Sequence, residues 1–260
     1  MIESTFSIVE GIGPVTERRL WEAGIQRWVD FLACESVPGV SPTRKRTLDQ
    51  RLAEYQAALE ARDARFFARH IPSREHWRSF ERFQDSAVYL DIETTGLSAY
   101  HHEVTVVGIY DGRNFTALVN GFDLTEERLA EALGDAGLLV TYFGSAFDIP
   151  FLRHHFPRLD FDRLHIDLCF AGRRVGLTGG LKSVERLLGL NRPDDLAHID
   201  GFEAVRLWHA HRRGEPGALD RLLSYNELDV RNLARLAPAI CQRLRAQASA
   251  LTKLRSGDSR

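Results

Sequence analysis

Two acids, Asp91 and Glu93, close the short apolar run AVYLDIE. On a strand, side chains at i and i+2 share one face, so this spacing sets two carboxylates side by side. They also stand at the carboxyl end of the run, where open α/β sheets gather their sites. Two like charges at the edge of an apolar strand repel one another and lose solvation, and a divalent cation offsets both costs. Taken alone, the pair reads equally well as a solvent-exposed strand end. Asp148 follows a second apolar run, LLVTYFG, in the frame FDIPFL. Alone it reads as a helix N-cap. Tyr225 and Asp229 lie four apart in LSYNELDVRNL, a spacing that shares one helix face. Aspartate is a poor residue for a helix interior, yet a surface tyrosine beside a surface acid is the simpler reading of these two by themselves.

The elements that must position these groups follow from pattern. Residues 1–84 read as helical, with Leu20, Trp21, Ile25, Trp28, Phe31 and Leu32 at helical spacing. Ser41 and Pro42 mark a helix start, and Pro72 ends the amphipathic segment that follows. From Ser86 the texture turns to strands. VTVVGIY and NFTALVN flank Asp111-Gly112, a hairpin signal. LTEERLAEAL is a helix capped by Thr125, LLVTYFG a buried strand, and the remainder mostly helix. The order of hairpin, helix, strand and helices predicts an α/β fold, a mixed sheet flanked by helices. The expected units are a helical domain over 1–84, an α/β domain over 85–245 and a basic, flexible tail over 246–260.

Composition sets the limits. Of 260 residues, 44% are hydrophobic and 27% charged, as in ordinary globular chains, and no apolar run approaches the ~20 residues of a membrane span. The N-terminus lacks a basic, then apolar, leader pattern, so a cytoplasmic enzyme with no membrane contact is expected. The three cysteines are isolated and form neither a zinc spacing nor a disulfide framework. Net charge is −2, so no bulk basic signal for nucleic acid exists. Its distribution is uneven: 13 basic against 12 acidic residues in 1–84, 14 against 23 in 85–230, and 7 against 1 in 231–260. A middle segment so acidic acts on phosphates only with cations present. The paired histidines 101–102 and 154–155 lack metal-ligand spacing, and HEVTVVG is not the HExxH pattern.

Taken together and in order, DIETTGL, FDIPFL and YNELD resemble the three motifs of the DEDD (DnaQ-like) 3′–5′ exonucleases. The tyrosine four residues before the last aspartate is similar to the tyrosine subgroup; the histidine subgroup has His five before, where this chain has Ser224. Residues 86–237, with GGLKSVERLLGL and DGFEAVRLW, look most like the YprB-like ribonuclease H-like branch. One residue departs: that branch usually has Asn-Gly in a frame like TYNGxxFD, and here TYFGSAFD puts Phe143 at the Asn position.

The resemblance implies phosphodiester hydrolysis with two divalent ions, Mg²⁺ or Mn²⁺, oxygen ligands suiting both. It implies that Asp91, Glu93 and Asp229 hold the ion that activates water, with Asp91 bridging to the second and Asp148 assisting. Tyr225 would orient the water, since a phenol of pKa ~10 is a poor base at neutral pH. Thr94, Thr95 and Gly96 would hold the terminal 3′-OH, with Leu97 wedged against the terminal base. Lys182 is either a phosphate contact or a solvated lysine. IVEGIGPVTERRLWEAGI resembles a helix-hairpin-helix, in which Gly11 and Gly13 offer backbone N–H groups to a phosphate; a plain helical hairpin packed on the α/β domain is the other reading. The expected partner is therefore nucleic acid with single-stranded 3′ ends, DNA before RNA, in repair or processing, with a helicase or repair protein as companion. The alternatives are an exoribonuclease and a weakly active binding module.

Overall fold

The computed structural model describes residues 1–254. The order of elements is α1 (Pro14–Glu22), α2 (Trp28–Ala33), α3 (Pro42–Glu60), α4 (Ala64–His70), α5 (Phe80–Phe83), β1 (Ala87–Thr94), β2 (Val104–Tyr110), β3 (Phe115–Val119), α6 (Glu126–Leu133), β4 (Leu138–Thr141), α7 (Asp148–His155), β5 (Leu164–Asp167), α8 (Leu168–Arg173), α9 (Leu181–Leu187), α10 (Asp194–Ala197), α11 (Gly201–Arg212) and α12 (Ala218–Leu254). The start signals hold: Ser41 Oγ accepts from Arg44 N–H at 3.3 Å and Thr125 Oγ1 from Arg128 N–H at 3.2 Å. Asp111 Oδ1 accepts from Arg113 and Asn114 N–H and closes the β2–β3 hairpin.

The five strands form one mixed sheet in the order β3-β2-β1-β4-β5. β2 runs antiparallel to β1 and β3, whereas β1, β4 and β5 are parallel. The carboxyl ends of β1, β4 and β5 therefore share one edge. β5 is a strand that the pattern reading passed over. Its four residues, LHID, are too few for alternation to stand out, and it pairs along its whole length with β4.

Each face of the sheet has its own core. Val88, Leu90 and Ile92 of β1 pack with α6 and α7 through Leu129, Leu133, Phe151 and Leu152. The opposite parity, Ala87 and Tyr89, faces α12, and Asp91 and Glu93 continue that row. α12 presents Leu222, Tyr225, Val230, Leu233, Leu236, Ile240 and Leu244 on one buried stripe, the spacing of a core-facing helix. That face also receives the N-terminal segment: Ile2, Phe6, Trp28, Phe31, Phe67 and Phe83 belong to one continuous cluster with Leu138, Leu164 and Ile240. Each such side chain stabilises the fold by about 1.5–3 kcal/mol. Glu81 pairs with both the Met1 ammonium and Arg245 of α12.

Two expectations change on the structure. The GIGP turn is not preceded by a full helix; a single 3₁₀ turn, Ile2–Ser4, stands before it. The buried Glu17 draws the chain out of a helical path, its Oε1 accepting from Phe6 N–H at 2.6 Å and Ser7 N–H at 2.9 Å, while Trp28 Nε1 donates to Thr5 O at 2.9 Å. At the other end α12 continues to Leu254, so of the tail expected over 246–260 only residues after 254 lie outside the described residues. No helix among the described residues is long and apolar enough to cross a membrane.

Candidate active site

Asp91 and Glu93 stand at the end of β1, Asp148 on the first turn of α7 beyond β4, and Tyr225 and Asp229 on the inward face of α12. The structure brings these three elements together. Glu93, Asp148 and Asp229 are buried and Asp91 is half-buried, and the gathering of these four carboxyl groups has a clear electrostatic signature. Desolvation first, then the neighbouring Asp229, Asp148 and Glu93, push Asp91 well above the ordinary carboxyl range. Glu93 is raised by burial and then by Asp229 and Asp148. Burial raises Asp148 to about 7 and Asp229 to about 6. Burial and the surrounding carboxylates likewise raise Tyr225. Asp148 does not act as a helix cap: its Oδ1 accepts from Ile92 N–H on β1 at 3.1 Å, and the cap position belongs to Phe147.

Five further residues hold this set, and motif reading missed all of them. Asn226 Nδ2 donates to Asp91 Oδ2 at 3.0 Å, while its own Oδ1 is buried without a partner. Gly108 is the register partner of Asp91 on β2, and a Cβ there would stand 1.8 Å from Asn226 Oδ1. A glycine inside a strand signals such an approach, and Asn226 falls on the buried stripe of α12; both were visible signals. Arg192, with 5% of its side chain exposed, reaches Asp229 Oδ1 at 2.5 Å and grips the buried Glu185 with Nε at 2.6 Å and Nη2 at 2.7 Å. Glu185 also accepts from Asn232 Nδ2 at 2.9 Å. A glutamate on the buried face of α9, between Val184 and Leu188, was the sequence cue.

Asp167, at the end of β5, shapes the loop between β4 and α7. Its Oδ1 accepts from Phe143 N–H at 2.8 Å and its Oδ2 from Ser145 N–H at 3.0 Å and Ser145 Oγ at 2.5 Å. Phe143 has φ +65, a left-handed conformation that Asn and Gly tolerate and a bulky residue does not. The Asn usual in the branch that the sequence resembles suits this backbone; Phe143 holds it at a cost of order 1–3 kcal/mol.

The TTGL loop is closed internally. Thr94 Oγ1 donates to Gly96 O at 2.7 Å and Thr95 Oγ1 accepts from Glu103 N–H at 2.9 Å. The His102 ring lies where a Gly96 Cβ would be, 2.3 Å away at its nearest atom. Leu97 projects into solvent, 84% exposed. The paired histidines serve structure, His155 Nε2 meeting His102 O at 3.0 Å. Lys182 points inward: its Nζ donates to Ala197 O at 2.9 Å and also to Ile199 O. Two of its three N–H groups thus clasp a loop, a use that a helix-start lysine does not reveal in sequence. Gly11 (φ +92) and Gly13 make the turn before α1, where Arg44 donates to Gly11 O and Arg51 to Glu10 O, each at 2.6 Å. Open space surrounds the point where a Gly13 Cβ would stand.

No three His, Cys, Asp or Glu side chains among the described residues form a ready metal cage. The donor chemistry nevertheless fits divalent cations. The four carboxyls offer oxygen only, they repel one another, and Glu93 Oε1 is buried without a partner. Asp229 alone already has a cationic neighbour, Arg192.

A comparison with curated proteins finds no match. Among solved structures, NrnC of Brucella melitensis bound to pGG is 24% identical over 67% of this chain and 83% of its own, with a TM-score of 0.48. The same protein with bound Mg²⁺ is 23% identical over the same shares, with a TM-score of 0.45. The family B DNA polymerase of the archaeon Pyrobaculum calidifontis is 18% identical over 59% of this chain and 24% of its own, with a TM-score of 0.49. A family model matches residues 88–241, more than half of the chain, from β1 through the middle of α12, and takes in every carboxylate described above. The chain belongs to the RNase_H superfamily.

Proposed function

We propose that this chain is a metal-dependent exonuclease that removes nucleotides from the 3′ end of single-stranded nucleic acid, with DNA repair or processing as its setting. The observation that carries the reading is the convergence of Asp91, Glu93, Asp148 and Asp229 with Tyr225 from β1, α7 and α12 onto one edge of the sheet. Asp91, Glu93, Asp148 and Asp229 would hold two divalent ions, Mg²⁺ or Mn²⁺, whose chemistry would be to activate a water and screen the phosphate. Asn226 fixes the rotamer of Asp91. Arg192, its fork seated on Glu185, sets a positive charge against Asp229. Burial and the neighbouring carboxylates favour the protonated phenol of Tyr225, which suits it to orient water as a hydrogen-bond donor. Thr94, Thr95 and Gly96 shape the pocket for the terminal sugar, and Leu97 stands free to meet the terminal base. Lys182 contributes a positive end to α9 and its one remaining N–H. Gly13, in open space, offers its backbone to a phosphate further along the strand, and Gly11 beside it does so under the Arg51 guanidinium, 3.4 Å from where its Cβ would stand. The cue for DNA is the sequence likeness of that turn to a helix-hairpin-helix; the turn lacks the first of those two helices, so RNA stands level with DNA as the substrate.

The test is digestion of 5′-labelled DNA and RNA strands, each with a free or phosphorylated 3′ end, in Mg²⁺, Mn²⁺ or EDTA. The expected result is a ladder of shortening strands that needs metal, stops at a 3′-phosphate and is abolished in Asp91→Ala. Immediate release of labelled mononucleotide shows the opposite polarity. A ladder from RNA alone makes the enzyme an exoribonuclease, and retention of strands without cutting makes it a binding module.

A further inference from the structure

From the aromatic pair beside the active site we infer that Phe143 and Phe170 form a stacking platform for a nucleobase of the single-stranded substrate, flanked by Arg173 as a contact to its phosphate. The inference rests on the nuclease reading above and names a subsite within it. Phe143 follows β4 and Phe170 follows β5, the two strands parallel to β1. Both residues therefore lie at the sheet edge that carries Asp91 and Glu93, just beyond the ends of the first and second strands from β1. The loop that carries Phe143 leads directly into Asp148. The ring centroids are 5.8 Å apart at 34°, and each residue is 42% exposed, although large apolar residues normally leave solvent when they have a core to enter. Arg173, also exposed, places its guanidinium 5.2 Å over the Phe170 ring. It brings positive charge to an otherwise acidic region.

The backbone supplies an independent observation. Phe143 is held at φ +65 by Asp167, which accepts from the N–H of Phe143 and of Ser145. A phenylalanine kept in a left-handed conformation with 42% of its surface in solvent is not placed there by a core. Strain of this kind concentrates at binding sites. Planar aromatic rings in solvent beside a cation, next to carboxylates suited to phosphodiester chemistry, fit the face of a base and its phosphate. Such stacking is tolerant of sequence, as removal of successive nucleotides requires.

The experiment uses the full chain with Mn²⁺ and a single-stranded 20-nucleotide substrate, comparing wild type, Phe143→Asn and Phe170→Leu. Phe143→Asn relieves the backbone, so its Tm should rise by a few degrees, which excludes misfolding as a cause of any loss. Each variant should raise KM by about 5- to 150-fold, the effect of one lost base–aromatic stack. A strand with an abasic site at the contacted position should raise KM on wild type and add nothing on either variant. Digestion with wild-type KM in both variants overturns the platform and leaves the nuclease reading intact. Failure of the wild-type protein to digest or bind any strand overturns the nuclease reading itself.

Discussion

At the scale of single residues, the site is a collection of groups held away from their ordinary ionisation. Asp148 at about 7 and Asp229 at about 6 retain protons in the fold that the unfolded chain releases near pH 4. Where the folded state binds more protons, stability falls as pH rises. His76 and His165 act in the opposite sense, since burial lowers both, His165 to about 4. Above about pH 7 those histidines are mostly neutral folded or unfolded, so the carboxyls govern the range from pH 7 to 8.5. In EDTA the Tm should therefore fall between these two values, and Mg²⁺ or Mn²⁺ should restore it more at pH 8.5 than at pH 7, because the ligands must be ionised. A Tm indifferent to pH and to both ions would remove the case for a carboxylate metal site. Tyr225→Phe deletes one hydroxyl and keeps the ring, so the fold survives. Hydrolysis should slow by about 10²-fold through misplaced water, and a wild-type rate would make Tyr225 a core tyrosine only.

Among the elements, β1, β2 and α12 act as one device. Gly108 leaves the gap into which Asn226 inserts to hold Asp91. Gly108→Ala adds one methyl group where none fits. It should cost about 1–3 kcal/mol of stability, measured by urea unfolding, and lower hydrolysis along with it. A variant as stable and as active as wild type would show that Asn226 has another place to go. Much of this arrangement was legible in the sequence. The i, i+2 acids, the hairpin at Asp111-Gly112, the caps at Ser41 and Thr125 and the helical pair Tyr225/Asp229 each have a local cause, and local causes can be read locally. What escaped has non-local causes. Asn226 and Gly108 matter through a contact between distant segments. Arg192 and Glu185 pair across the turn after α9 and then reach α12. β5 is defined by its partner β4 more than by its own four residues. Lys182 carried a helix-start position that fits a phosphate contact, and a loop claims two of its three N–H groups.

For the molecule as a whole, the N-terminal helices are not an appendage to the sheet. Trp28, Phe31, Phe67 and Phe83 share a cluster with Leu138, Leu164 and Ile166, and His76 Nδ1 accepts from His165 N–H of β5 at 3.0 Å. Deleting residues 1–84 should therefore expose one face of the sheet and give a protein that binds a hydrophobic dye and sediments as aggregate. A soluble, monomeric truncation by gel filtration with wild-type circular dichroism in the sheet region would show that the shared core is dispensable. The meeting of Met1 and Arg245 on Glu81 has a further consequence, in the time order of synthesis. Trp77 and Phe80 adjoin Cys241 of α12, and a ribosome adds roughly 5–20 residues per second. The chain that carries those aromatics thus waits roughly 10–30 s for the helix that covers them. Throughout that interval the nascent polypeptide is a client for holdase chaperones, and slow codons late in the message lengthen its exposure.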